Sequence, residues 1–120
     1  MKKLAIVLAA LLLASVFVGC NPSLTIPGST WKQDGGDGSF AVWTFEEDGT
    51  LVYDYFDKEG KKVDVWSGKG AWALADDSIL VVVGLKGIVG EYRVEVGVNK
   101  LSLYKGDVEE PTIILERYKA

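Results

Sequence analysis

Beyond residue 28 no stretch repeats apolar residues with helical spacing, and turn-forming pairs cut the chain at fairly regular intervals: Asp48-Gly49, Glu59-Gly60, Asp76-Asp77, Asn99-Lys100 and Gly106-Asp107. Between these pairs lie short runs rich in β-branched and aromatic residues. They read as eight strands: Thr30–Gln33, Ser39–Glu46, Thr50–Asp57, Lys62–Leu74 with a break near Ser67–Gly70, Ser78–Val83, Val89–Val96, Lys100–Lys105 and Thr112–Tyr118. Eight consecutive strands joined by tight turns predict an all-β, up-and-down antiparallel barrel, because closure removes the edge strands that an open sheet would expose.

Alternation assigns the faces, since successive strand residues point to opposite sides. Glu91, Arg93 and Glu95 alternate with Tyr92, Val94 and Val96, so the second set faces inward. By the same test Trp43 and Phe45 face inward, as do Leu51, Tyr53 and Tyr55, Leu101 and Leu103, with Trp72 and Leu74 joining them. In the last run Arg117 shares a face with Ile113 and Leu115, which points an arginine into the barrel, where it needs a partner.

The N-terminus is different in kind. Lys2 and Lys3 precede Leu4–Val18, an uncharged apolar stretch that is shorter than the roughly 20 residues of a membrane-spanning helix. This is the layout of a signal-peptide helix. It ends in Phe17-Val18-Gly19-Cys20, which resembles the lipobox of bacterial lipoproteins, and Cys20 is the only cysteine in the chain. The resemblance implies removal of residues 1–19 and acylation of the Cys20 sulfur, with palmitate-type chains that anchor the protein durably to a membrane. Asn21 stands where, in diderm lipoproteins, an aspartate would signal inner-membrane retention, so the implied location is the cell envelope, at the outer membrane if the organism has one. Residues 20–28 then form a lipidated tether, in which Pro22 and Pro27 discourage helix; fully extended it would reach about 25 Å. The barrel domain occupies residues 29–120.

Processing also changes the charge balance. Removing nineteen residues from 120 leaves 101, with eleven Lys and Arg against seventeen Asp and Glu, a net charge of −6 that disfavours nucleic-acid binding.

Gly28-Ser29-Thr30-Trp31-Lys32 at the start of the domain and Leu115-Glu116-Arg117-Tyr118 at its end resemble the two ends of a lipocalin, with Ser29 where the glycine of Gly-x-Trp stands. The hairpin Thr44-Phe45-Glu46-Glu47-Asp48-Gly49-Thr50 adds a likeness to short bacterial lipocalin-like lipoproteins. In that family the arginine packs across the tryptophan to close the barrel base, a role the resemblance gives to Arg117 and Trp31. A stacked pair of this kind stabilises by about 1–2 kcal/mol and marks stability, not a ligand site.

Chemistry-bearing patterns are scarce. The chain has no histidine, no cysteine besides Cys20, and no glycine-rich loop entering a helix that could cradle phosphate. Asp34-Gly35-Gly36-Asp37-Gly38 offers two carboxylates on one loop, too few for a calcium site and well suited to a turn. The sequence therefore predicts no catalytic residues, no metal and no cofactor.

Trp43, Phe45, Tyr53, Tyr55, Trp72 and Tyr92 should converge inside the barrel. They can be the filled core of a small barrel, or they can line a shallow calyx for a small hydrophobic molecule. The segment Ile79–Gly90, with Ile79–Val83 at its heart, is apolar on both strand faces, so its outer side needs a cover: a second sheet of the same chain, another copy, or a partner protein. Two functions follow as expectations. The first is non-enzymatic binding of a small hydrophobic molecule at the envelope; the second is an envelope protein-interaction module with a filled barrel.

Overall fold

In the computed structural model, which describes residues 22–76, 78–85 and 87–118, the eight strands close into one antiparallel up-and-down barrel in chain order. They are β1 (Ser29–Asp34), β2 (Phe40–Phe45), β3 (Thr50–Phe56), β4 (Gly68–Asp76), β5 (Ile79–Val83), β6 (Gly90–Val96), β7 (Lys100–Tyr104) and β8 (Ile113–Arg117). The seam pairs β1 with β8, matching Trp31 to Arg117 and Lys32 to Glu116. Residues 1–19, expected to be a signal peptide, lie outside the described residues with Cys20 and Asn21, as does Asp77 of the Asp76-Asp77 turn.

The turns form as their sequences require. Asp48, Asp57 and Asp76 each accept a backbone N–H two residues on, from Thr50, Glu59 and Ser78, at 2.8–2.9 Å. The short aspartate side chain thus stands in for a backbone carbonyl, which is why it recurs at these hairpins.

The sequence placed a break at Ser67–Gly70, but β4 runs unbroken through Gly68–Gly70. The irregularity lies upstream. Lys62 makes a single bridge to Phe56, and Asp64–Trp66 forms one 3-10 turn. Pairing of β3 with β4 stops at Tyr53 and Gly68, so the two strands splay beyond that point. There the Ser67 hydroxyl substitutes for the ladder, accepting from the Tyr55 N–H at 2.9 Å and donating to the Val63 carbonyl at 2.8 Å. Gly70 serves close approach, not interruption: a β-carbon there would stand 2.3 Å from the Val83 carbonyl oxygen.

Inside, Trp31, Trp43, Phe45, Leu51, Leu80, Val82, Leu101, Leu103 and Leu115 are fully buried, and Tyr92 and Val94 nearly so. Tyr53, Tyr55, Trp72, Leu74 and Val96 pack against them, partly buried. Each buried side chain of this size contributes about 1.5–3 kcal/mol of transfer free energy. The core runs from Ile26 to Leu115 and the strands close on themselves, so residues 22–118 contain the contacts the barrel needs to fold.

The segment expected to be an extended tether is part of this body. Pro22–Thr25 forms a helical turn, a place where proline's fixed φ and missing N–H cost nothing. Ile26 is fully buried in the core. The Ser29 hydroxyl donates to the Ile26 carbonyl and accepts from the Trp31 indole N–H at 2.6 Å, tying the segment to the barrel. A buried isoleucine outweighs the extended preference of its neighbours.

Arg117 departs from the expected burial. It keeps the inward phase of Ile113 and Leu115, yet it sits at the strand end and is exposed. A guanidinium inside the barrel would lose its hydration, whereas at the end it covers an aromatic face and stays in water.

The outer side of β5 is also less demanding than its sequence suggests. Leu80 and Val82 point into the core, Ile79 and Val81 are half-buried, and only Val83 is well exposed. Val81 stands beside Ala73 and Glu91, and Ile79 beside Arg93, so cross-strand neighbours from β4 and β6 share its cover.

Candidate functional site

The barrel has two unlike ends. Gly28, Tyr118 and the 46–49, 76–79 and 97–99 connections gather at one, here called the base, beside the Pro22–Thr25 turn. The 35–39, 57–67, 84–89 and 105–112 connections form the rim at the other. Between the ends the interior is packed, with aromatic rings in a continuous series. Tyr53 meets Trp43 edge-on at 5.8 Å, Trp43 meets Phe45 at 6.1 Å, and Phe45 meets Trp72 edge-on at 5.5 Å. Among the described residues these rings occupy the interior where a central calyx would lie.

Open space survives at the rim. Where β3 and β4 splay, a cleft of about 490 Å³ is bounded by Tyr53 and Tyr55 from β3, Val65 and Trp66 from the 3-10 turn, Gly68 from β4, and Leu85 from the 84–89 connection, with Ser67, Lys69 and Gly84 completing its edge. Its size lies within the ordinary range for small-molecule sites. The cleft exists because β4 begins with glycine on its inner face: a β-carbon on Gly68 would come within 3.5 Å of Leu85 Cδ2, so any larger side chain would occupy the space. Trp66 stands edge-on to Tyr55 at 5.1 Å and 85°, and it remains 61% exposed. The 57–67 arm carrying it is fastened outside by the Lys62–Asp54 ion pair at 3.3 Å.

The six aromatics expected to line a ligand site therefore divide. Tyr53 and Tyr55 line the cleft. Trp43 and Phe45 are fully buried filler, and Tyr92 is buried with its hydroxyl donating to the Ile88 carbonyl at 2.9 Å. Trp72 lies at the other end of the series, donating its indole N–H to the Glu46 carbonyl at 2.9 Å. Sequence reasoning missed Val65, Trp66, Gly68 and Leu85. The signal was there in the two glycines, Gly68 and Gly70, on the inward phase of a strand next to inward tyrosines.

Burial, reinforced by neighbouring Tyr55, raises the Tyr53 hydroxyl above its ordinary value, so it stays protonated and able to donate throughout the physiological range.

Other candidate chemistry resolves into structure. In the 34–38 loop, Asp34 accepts the Gly36 N–H and Asp37 accepts the Ser39 N–H, both at 2.9 Å, and Asp37 also accepts the Ser39 hydroxyl. Both carboxylates are thus turn-forming groups. Among the described residues no cluster of three or more His, Cys, Asp or Glu side chains comes together. Ser29 and Lys32 have the Ser-x-x-Lys spacing used by some hydrolases, but three residues apart on a strand places them on opposite faces. Ser29 is held by Trp31 and Ile26, while the Lys32 ammonium lies 4.7 Å from the Phe40 ring centre.

No protein-family model matches the chain, and no curated protein sequence is similar to it. The cleft geometry therefore carries the functional argument.

Proposed function

We propose that the protein is a lipid-anchored envelope binding module, not an enzyme, that holds a small hydrophobic molecule in the rim cleft. The observation that carries this reading is a preformed recess with aromatic and aliphatic walls, framed by Tyr53, Tyr55, Trp66 and Leu85, at the rim of a barrel whose interior is packed with its own side chains. Its position supports the reading too. With acyl chains on Cys20, two residues from the Pro22–Thr25 turn, the base faces the membrane and the cleft opens away from it, toward molecules arriving from the aqueous side. The likeness to lipocalin-like lipoproteins points the same way, with the ligand held at the rim instead of deep inside.

Of the four tryptophans only Trp66 is exposed, so it should report occupancy. Titrating the 21–120 segment with a broad panel of small apolar compounds should give a saturable fluorescence change that disappears in Trp66→Phe. Gly68→Leu, whose side chain would fill the cleft, should abolish binding while leaving the thermal transition intact. A panel without any saturable response, or a response that Gly68→Leu leaves unchanged, defeats the proposal.

A second reading has its own observation. Val65 is 82% exposed beside Trp66 on the rim farthest from the anchor, a placement suited to contact with an envelope protein. Native mass spectrometry of the protein isolated from its host separates the two readings, because a retained small molecule and a retained polypeptide differ greatly in mass.

A further inference from the structure

The polar atoms of the cleft restrict what it can hold. Its lining side chains are two tyrosines, a tryptophan, a serine, a lysine and aliphatic residues; it contains no carboxylate and no carboxamide. The Ser67 hydroxyl is committed to Tyr55 and Val63. The Tyr53 hydroxyl, the Tyr55 hydroxyl and the Trp66 indole N–H have no hydrogen-bond partner among the described residues, and Lys69 at the edge has no ion-pair partner among them. The Trp66 indole can only donate, the two tyrosine hydroxyls can donate as well as accept, and the Tyr53 hydroxyl keeps its proton because burial opposes its ionisation. With no carboxylate or carboxamide among the described lining residues to accept from several ligand hydroxyls at once, the cleft suits an acceptor-bearing ligand better than a polyhydroxylated one, and a plain alkyl chain would leave the indole and tyrosine donors unpaired at a cost. The edge-on arrangement of Tyr55 and Trp66 forms a corner of two aromatic faces, against which a flat ring packs well.

We infer that the ligand is a planar aromatic molecule with oxygen acceptors, carbonyl or carboxylate, along one edge. The ring lies in the Tyr55–Trp66 corner and the acceptors meet the tyrosine hydroxyls. This inference rests on the cleft being the binding site.

Calorimetry on the 21–120 segment with four probes tests it: coumarin, a neutral ring with a carbonyl edge; 2-naphthoate, an anionic one; naphthalene, a ring without acceptors; and octanoate, an acceptor without a ring. Coumarin or 2-naphthoate should bind about tenfold tighter than naphthalene, and octanoate weakest, since each hydrogen bond gained contributes a few-fold to about tenfold. Tyr53→Phe with Tyr55→Phe should erase the advantage over naphthalene while leaving naphthalene binding unchanged, an outcome that a merely unfolded variant could not give. Naphthalene binding as tightly as the acceptor-bearing rings, or octanoate binding best, overturns the ligand class but leaves the cleft as a site. Failure of both acceptor-bearing rings to bind overturns the inference, and the separate Trp66 fluorescence and Gly68→Leu measurements then decide whether the cleft reading falls with it.

Discussion

The Arg117 guanidinium carbon lies 4.5 Å from the centre of the Trp31 ring, across the seam where β1 and β8 pair these same two residues. Trp31 is fully buried and Arg117 is exposed, so the arginine acts as a lid on the base of the barrel, its guanidinium over the indole and still in contact with water. The seam has few paired residues, and this contact reinforces it with the Tyr118 N–H donating to the Thr30 carbonyl at 3.1 Å.

Arg117→Met keeps an unbranched apolar chain and removes the guanidinium. An exposed cation–π contact contributes about 0.5–1 kcal/mol, so thermal unfolding should shift down by a few degrees, with no change in binding at the distant rim. An unchanged transition temperature would show that the guanidinium adds nothing to the hydrophobic cover.

Ile26 plugs the base from outside the strand set. Ile26→Ala should destabilise by about 2–4 kcal/mol, because it deletes a fully buried side chain at a site held by hydrogen bonds and poorly able to collapse. For a domain this small that is a fall of more than about 10 °C by calorimetry. A loss below about 1 kcal/mol would mean that the 22–28 segment peels away freely from the barrel.

Asp37, Asp48 and Asp76 are each held below the ordinary carboxylate value of 3.8, chiefly by hydrogen bonds from Ser39, Thr50 and Ser78 respectively. A group depressed on folding contributes stability that is present above its unfolded value and lost as pH falls through its folded one. Denaturant midpoints should therefore be flat in this respect above about pH 5 and decline below 3.8, the decline shrinking in an Asp48→Asn, Asp76→Asn double variant. An equal acid response in that variant would assign the decline to other carboxylates.

Cys20→Ser tests the anchor. In a lipoprotein-exporting host the wild-type chain should yield a membrane-bound product lacking residues 1–19 and heavier than its polypeptide by its acyl chains. The variant should lack the acyl mass and stay unprocessed at Gly19. Intact-mass measurement reads both, and a wild-type product with an unmodified thiol would remove the anchor from the proposed function.

Local rules sufficed for the strands. Period-two alternation in Glu91–Val96 and the aspartate and glycine turns depend on residues close in sequence, and strand number, order and inward faces followed from them. The aromatic inventory was equally legible, but not its division: whether Trp43 or Tyr55 meets a ligand depends on where β3 and β4 part company, and that is set by Ser67 bonding to a strand twelve residues away.

What the sequence determined alone, then, is the count of strands and the closure they demand. Tertiary structure decided the rest: that the interior fills with its own rings, that Ile26 is drawn into the base, that Arg117 stays in water, and that Gly68 leaves room beside Tyr53 and Trp66. The division has a physical cause. Backbone geometry and turn chemistry are set by neighbours along the chain, whereas volume is shared among side chains from every strand, and a cleft is whatever volume they fail to fill.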